Sequence, residues 1–441
     1  MPKTRADVLN IVKQEKVKII RLWFTDILGR LKGFALPISE LPHALDEGMG
    51  FDGSSIEGFV RIYESDLVAM PDVSTFRLLP WSIDDHRTAG MFCDVLTPNG
   101  KPFPGDPRYI LKRNLEKARK LGYTFNIGPE LEFFYFRSSE KPEFLDQGGY
   151  FDLTPLTIGT KLRKKTITLL ESLAIQVEYS HHEVAPSQHE IDLRYQEAMA
   201  MADMAMLYRL VVKEVAREEG VYATFMPKPV FGINGSGMHC HQSLFKGERN
   251  AFFDPRDPYH LSVVAKQYIA GLLKYVREFT AVTNQWVNSY KRLVVGYEAP
   301  VYISWARRNR SALVRIPMYK PGKEKATRIE LRNPDPATNP YLCFAVMLAA
   351  GLRGVEEKLP LHDPVEEDIF EMSEDKRRRL GIKTLPASLY EAILLAERSE
   401  LVRETLGDDL FFKFIANKKT EWDEYRMQVT DVELAKYLPF L

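Results

Sequence analysis

Cysteine is scarce: three residues, Cys93, Cys240 and Cys343, are spread over 441 positions. An odd number without close spacing excludes a disulfide framework and a CxxC zinc site, and a reducing cytoplasm is the expected compartment. No apolar run reaches the ~20 residues that span a bilayer. The longest, "YLCFAVMLAAGL" from Tyr341 to Leu352, reads as a buried helix, and the N-terminal "MPKTRADVLNIVKQEK" has no apolar signal core. Neither sign of charge is in excess. Sixty Lys and Arg balance sixty Asp and Glu, so no global field draws the chain to nucleic acid or to an anionic membrane. The one dense basic run, Lys376 to Arg379, follows Glu371, Glu374 and Asp375 and reads as a solvated helix face. Also missing are an internal repeat and a Walker GxxxxGK[ST] loop. Behind Gly235 and Gly237, Cys240 stands where a dinucleotide fingerprint wants a third glycine.

What is present is an ordinary globular composition, 45% hydrophobic and 27% charged, on a chain long enough for more than one core. The Pro and Gly cluster "TPNGKPFPGDP", Thr97 to Pro107, divides two textures. Before it, a helix from about Arg5, a strand pair turning near Gly29, a helix around Glu40 to Glu47 and strands near "DLVAMPD" and "AGMFCDVL" make a small α+β unit, residues 1–104. Residues 105–441 form the second unit. It opens on a helix capped by Asp106, with Pro107 in its first turn and Gly122 at its end. The strand "YTFNIGPELEFFYF", a helix near Thr160 to Leu173, a strand pair and a long helix from about Glu197 follow. The methionines of that helix, Met199, Met201, Met204 and Met206, read as core filling.

Four strand-like segments carry an unusual second face. In "GPELEFFYF", Glu130 and Glu132 share one side and Leu131, Phe133 and Tyr135 the other. "HHEVAPSQHEIDLRY", read as a tight hairpin turning at Pro186 and Ser187, pairs Val184 with His189 and sets Glu183 opposite Glu190. "GSGMHCHQSLF" aligns His239, His241 and Ser243, and "TRIELRNP" aligns Arg328, Glu330 and Arg332. One sheet would present all four, its apolar side on helices and its polar side lining a cleft. Glu130, Glu132, Glu183, Glu190 and Glu330 bring five negative charges, which resist ionising together unless cations compensate them. Oxygen-rich ligands with a single imidazole select two Mg²⁺ or Mn²⁺ ions over zinc or copper, and paired metals of that kind serve phosphoryl transfer. Arg292, Arg307, Arg308, Arg310, Arg315, Arg328 and Arg332 supply cationic partners for phosphate.

These segments, with "FTDILGRLKGFALP", "FDGSSIEGF", "NRSALVRIP" and "RIELRNPDPATNPYL", closely resemble glutamine synthetases of the bacterial and archaeal type I form over essentially the whole chain. The resemblance implies an α+β fold, with an N-terminal β-grasp domain and a catalytic domain built on an antiparallel active-site sheet. It implies a homo-oligomer, a dodecamer of two hexameric rings with active sites between subunits. The implied reaction is amidation of L-glutamate by ammonium and ATP through γ-glutamyl phosphate.

Residue by residue, Glu132, Glu183 and Glu190 match one metal site, and Glu130, His239 and Glu330 the other. Arg310 and Arg328 match groups that neutralise the transferring phosphoryl. Asn234, Gly235, Arg292 and Arg332 match the glutamate contacts, and Glu178, His241, Ser243 and Arg315 the nucleotide contacts. Asp52 matches the ammonium-binding residue and Glu298 the flap residue that shields the acyl phosphate. "LPASLYEAI" around Tyr390 lacks the setting of the adenylylated tyrosine, whereas "GFVRIYESD" resembles the subgroup under glutamine feedback, with Arg61 as sensor and a nitrogen-regulatory transcription factor as a possible partner. The alternatives are a ligase of the same family that joins glutamate to a polyamine or other amine, which the intact "DGSS" loop with Asp52 disfavours, and a catalytically silent regulatory member.

Overall fold

Two sheets divide the chain. The structure, a computed structural model, describes residues 4–56, 58, 66–81, 86–153 and 158–441. The first sheet follows helix α1 (Arg5–Gln14) and contains β1 (Val17–Thr25), β2 (Leu31–Pro37), β3 (Met49–Asp52), β4 (Asp66–Pro71), β5 (Arg77–Leu78) and β6 (Arg87–Leu96), with α2 (Leu41–Glu47) between β2 and β3. Its order is β2-β1-β6-β4-β3, with β5 beside β6. β1 and β6 run parallel and their neighbours antiparallel, which is the β-grasp arrangement. Val8 and Val12 of α1 pack with Ile20, Leu22, Ala89 and Met91 into a core of its own.

The connecting segment is ordered: Thr97 N–H donates to Lys101 O at 2.8 Å, and Phe103 is buried. Asp106 then caps α3 (Pro107–Lys120), accepting from Arg108 N–H at 3.0 Å. Arg108 is 3% exposed. Its guanidinium reaches Asp72 at 2.7 Å and also Asp94, both in the small lobe, and Asp203 of α5 (Ala198–Glu218) at 3.0 Å. Tyr341 donates to the same Asp203 at 2.6 Å. The β1–β2 turn is fixed to the large lobe as well. Asn339 Nδ2 donates to Asp26 O at 3.0 Å and Gln285 Nε2 to Leu28 O at 2.7 Å, while Trp23, Ile27 and Leu28 belong to the large lobe's apolar core.

The second sheet has the order β14-β15-β16-β12-β7-β9-β8, formed by β7 (Thr124–Phe136), β8 (Val177–His182), β9 (Gln188–Leu193), β12 (Met238–Lys246), β14 (Tyr302–Ala306), β15 (Ala312–Arg315) and β16 (Ile329–Leu331). The short β10 (Gln196–Glu197), β11 (Tyr222–Thr224) and β13 (Arg249–Asn250) attach to β7, β7 and β12. Apart from the parallel β14–β15 pair, the neighbours run antiparallel. Helices α4 (Ile158–Ser172), α5, α6 (Val263–Thr283) and α8 (Pro340–Glu356) bury the apolar side, α8 being the long apolar run read from the sequence. Gly271 of α6 and Gly354 of α8 let these helices cross closely. A Cβ on Gly271 would stand 2.2 Å from Ala350 O, and one on Gly354 2.2 Å from Gln267 O. All three cysteines are free and buried.

One register departs from the sequence reading. β8 ends at His182, which faces His189, and Glu190 faces His181, so Val184 does not pair with His189 nor Glu183 with Glu190. The connection is a five-residue loop, 183–187. Pro186 has no N–H to give a ladder, Ser187 takes φ +59°, and a segment far off in sequence shapes the rest. Asp146 accepts from Ser187 N–H at 2.9 Å, and Ser187 Oγ accepts from the amides of Leu145 at 2.7 Å and Asp146 at 3.1 Å. A two-residue turn leaves no room for those bonds.

Candidate active site

β7 points Leu131, Phe133 and Tyr135 into the core at 0% exposure and turns Glu130 and Glu132 to the opposite side. There they line a cleft of about 440 Å³ with Glu183, Glu190, His239 and Glu330. The register brings them together. His239 faces Glu130, Glu330 faces His241, and Glu132 faces Glu190. His239 Nδ1 lies 3.4 Å from Glu130 and 3.7 Å from Glu330, and its Nε2 is 3.9 Å from Glu132. One ligand atom each from Glu130, His239 and Glu330 falls within 4.8 Å of the others, and the same holds for His181, Glu183 and Glu190. A third such group, Asp146, His182 and His189, braces the 183–187 loop: His182 Nε2 meets Asp146 at 2.9 Å and Nδ1 donates to Glu183 O at 2.7 Å.

The carboxylates differ electrically. Burial and then the charge of Glu183 push Glu132 up to about 8, although Arg292 and the Gly237 amide oppose this. Its Oε2 accepts from Gly237 N–H at 2.9 Å and Gln188 Nε2 at 3.0 Å. Burial, then Asp192 and Glu130, raises Glu190. Burial also acts upward on Glu330, but Arg332, the two histidines and Arg315 outweigh it and hold the carboxyl down at about 2. Arg332 Nη1 donates to Glu330 at 2.7 Å, and Arg315 Nε donates to its other oxygen. Glu130 is lowered because His241 and His239 overcome burial.

At one end of the cleft, buried Arg292 donates to Asn333 O at 2.7 Å, Pro334 O at 3.1 Å and Arg332 O at 3.2 Å, which fixes the fork while leaving part of it for a ligand. Gly237 makes space for it: a Cβ there would lie 2.5 Å from Arg292 Nη2. Asn234 donates to Glu298 at 3.2 Å, and Glu298 holds φ +57°, a conformation a non-glycine residue adopts at a cost of roughly 1–3 kcal/mol. Arg310 and Arg315 also line the cleft.

The remaining expected residues divide. Glu178, His241, Ser243 and Arg328 line an adjoining hollow of about 200 Å³ that shares Glu130 with the cleft. Arg328 Nε donates to His241 Nδ1 at 3.1 Å, which leaves Nε2–H of that histidine to donate to Glu130 at 2.6 Å. Asp52 is elsewhere, at the end of β3 opposite Asp66, where it accepts from Ser54 N–H at 2.8 Å. Arg307 and Arg308 do not line the cleft; their amides donate to Glu366 at 2.8 and 3.0 Å. Arg61 lies outside the described residues. Tyr150, Tyr179, His181, Gln188 and Tyr297 line the cleft without having been singled out. Alternation alone points to His181, two residues before Glu183, whereas nothing in the sequence marks the tyrosines.

Residues 16–98 match the glutamine synthetase β-grasp domain and residues 104–437 the glutamine synthetase catalytic domain. The chain belongs to the glutamine synthetase family. A glutamine synthetase of Mycolicibacterium smegmatis is 51% identical over 99% of this chain and 100% of its own length. One of Methanosarcina mazei is 51% identical over 99% and 98%. Among solved structures, a GmaS/ADP complex superposes with a TM-score of 0.89 at 30% identity, covering 98% of this chain and 99% of that one. An α+β fold with a β-grasp domain ahead of a sheet-based catalytic domain is therefore common to the chain and to its family.

Proposed function

We propose that the cleft makes glutamine from L-glutamate, ammonia and ATP. ATP-dependent amidation of glutamate is the reaction of the family to which the chain belongs, and divalent metal ions accompany it. The observation that supports it best is the cleft itself, where several carboxylates crowd two imidazoles, His181 and His239, and Glu132 is pushed up to about 8. Such crowding is relieved when cations replace the proton. In this reading Glu132, Glu183 and Glu190 hold one Mg²⁺ or Mn²⁺, and Glu130, His239 and Glu330 hold a second. Bound there, the ions offset charge as the terminal phosphoryl leaves ATP for the γ-carboxylate of glutamate.

The chain's own residues do the rest. Arg292 and Arg332, with Asn234 and Gly235, take the α-carboxylate end of glutamate, and the carbonyl-anchored Arg292 keeps the substrate from drifting. Glu178, His241, Ser243 and Arg315 take the nucleotide, and Arg310 and Arg328 neutralise the moving phosphoryl. The transfer yields ADP and γ-glutamyl phosphate; ammonia then attacks the acyl carbon and phosphate leaves. Glu298, held by Asn234, covers the acyl phosphate against water. Asp52 draws in ammonium and removes its proton. Because Asp52 lies apart from its own chain's cleft, the reading places it in a neighbour's site. That is the arrangement of a dodecamer of two rings, in the cytoplasm, with the chain divided near residue 104 and Arg61 as the glutamine sensor.

The experiment is glutamine formation from glutamate, ATP, ammonium and Mg²⁺, with a panel of amines in place of ammonium. Glutamine formed at a rate that ammonium alone supports is the expected result. Turnover with a polyamine and none with ammonium overturns it.

A further inference from the structure

A hollow of about 740 Å³ opens where the β1–β2 turn, α5 and the segment before α7 (Ser289–Arg292) meet, apart from the catalytic cleft. Volume and make-up are those of a small-molecule site: a mostly apolar wall with a few polar groups. Met206, Leu210, Phe225 and Trp286 form part of that wall.

The polar groups have one sign. Arg30, Arg209, Lys213 and Lys291 line the hollow, and among the described residues none of them is ion-paired. Glu421 is the one carboxylate in the lining, and it is already taken by the Val287 amide at 2.9 Å and Lys418 Nζ at 2.6 Å. Lys291 and Arg30 are exposed, and Lys213 is exposed by area although burial still lowers its ammonium, whereas Arg209 is half-buried. Its contacts are a carbonyl, Pro336 O, at 3.3 Å and a thioether, Met206 Sδ, at 3.2 Å, while its Nε is buried without a partner. Burial lowers this guanidinium to about 10. Asp335 acts on it from beyond ion-pair distance and does not outweigh the desolvation. Trp286, in the same lining, already has cations near its ring: Lys418 Nζ stands 4.4 Å and Arg30 6.0 Å from its centre.

We propose that this hollow binds an aromatic carboxylate, the ring against Trp286 and Phe225 and the carboxylate on Arg209, with Lys213 and Lys291 closing the mouth. Arginine's planar fork favours a carboxylate partner, and the apolar wall favours a ring over a free inorganic anion. The site stands on its own lining and is independent of the catalytic reading.

The test is calorimetric titration of the assembled protein with 2-naphthoate and, separately, with its uncharged counterpart 2-naphthamide. The expected result is one saturable site per chain with a preference of about tenfold or more for the carboxylate, the worth of one charge-assisted hydrogen bond. That preference should persist with saturating ATP and glutamate. It should fall in Arg209→Gln, and in Lys213→Gln or Lys291→Gln, exposed positions that carry the test if the Arg209 variant does not fold. No binding to the assembled protein, as when a second copy of the chain fills the hollow, overturns the proposal. So do equal affinity for acid and amide, indifference to the substitutions, and displacement by ATP or glutamate.

Discussion

Glu132 and Glu190 face each other directly across β7 and β9, both buried and both raised above the ordinary carboxylate range. Two like groups in that position store an unmet demand for positive charge, met either by protons or by metal.

The demand has a pH signature. For Glu132 the folded state binds its proton up to about 8, whereas the unfolded chain releases it near 4.5. Between those values the unfolded chain binds fewer protons, so this group's contribution is full below 4.5 and is lost as pH rises through about 8. Metal-depleted protein should therefore lose thermal stability from pH 5 to pH 8 relative to Glu132→Gln, and added Mg²⁺ should raise the midpoint more at pH 8 than at pH 6. Parallel melting curves for wild type and variant across that range contradict the assignment.

Glu330 is fully buried between Arg315 and Arg332. Glu330→Ala should abolish turnover and also destabilise, by roughly 3 kcal/mol, because it strands the buried Arg332. Glu330→Gln keeps the shape and some hydrogen bonding, so it should be as inactive but more stable than the alanine variant. Steady-state assays with denaturant midpoints separate the two effects, and near-normal turnover of either variant at saturating Mg²⁺ refutes the ligand role.

A methyl group added at Gly237 meets Arg292 Nη2 at 2.5 Å, and Arg292, tied to three carbonyls, cannot yield. Gly237→Ala should raise the KM for glutamate by about tenfold or more while changing ATP affinity less, since about 1.4 kcal/mol of lost contact suffices. An equal change in both constants indicates general damage to the sheet.

Asp52, on β3 opposite Asp66, is not among the residues that line its own chain's cleft. Co-assembling Asp52→Ala chains with Glu330→Gln chains should restore part of the activity that each lacks, because some interfaces then pair an intact member of each. Differently tagged chains verify mixing, and mixed assemblies no more active than either parent rule out a shared site.

Much of this was legible in the residues. Alternation places Glu130, Glu132, His239 and Glu330 on one face, because an antiparallel sheet with one apolar side leaves a strand no other way to lie. The Asp106 cap, the Gly122 stop and the apolar run of α8 were readable for equally local reasons. The 183–187 loop was not, since its width is set by Asp146, far away in sequence, through bonds to Ser187. Long-range hydrogen bonds leave no periodicity. The same holds for Arg328, which sequence alternation aligns with Glu330 but which stands just ahead of β16 and turns to His241 in the adjoining hollow.

Arg108 joins Asp72 and Asp94 of the small lobe to Asp203 of the large one, while Trp23, Ile27 and Leu28 sit in the large lobe's own core. The small lobe is thus no jaw: swinging it would tear a buried guanidinium from three acids and expose an apolar face at the same moment. The β-grasp lobe acts as masonry, a fixed wall whose outermost strands, β2 and β3, pair with no further strand among the described residues.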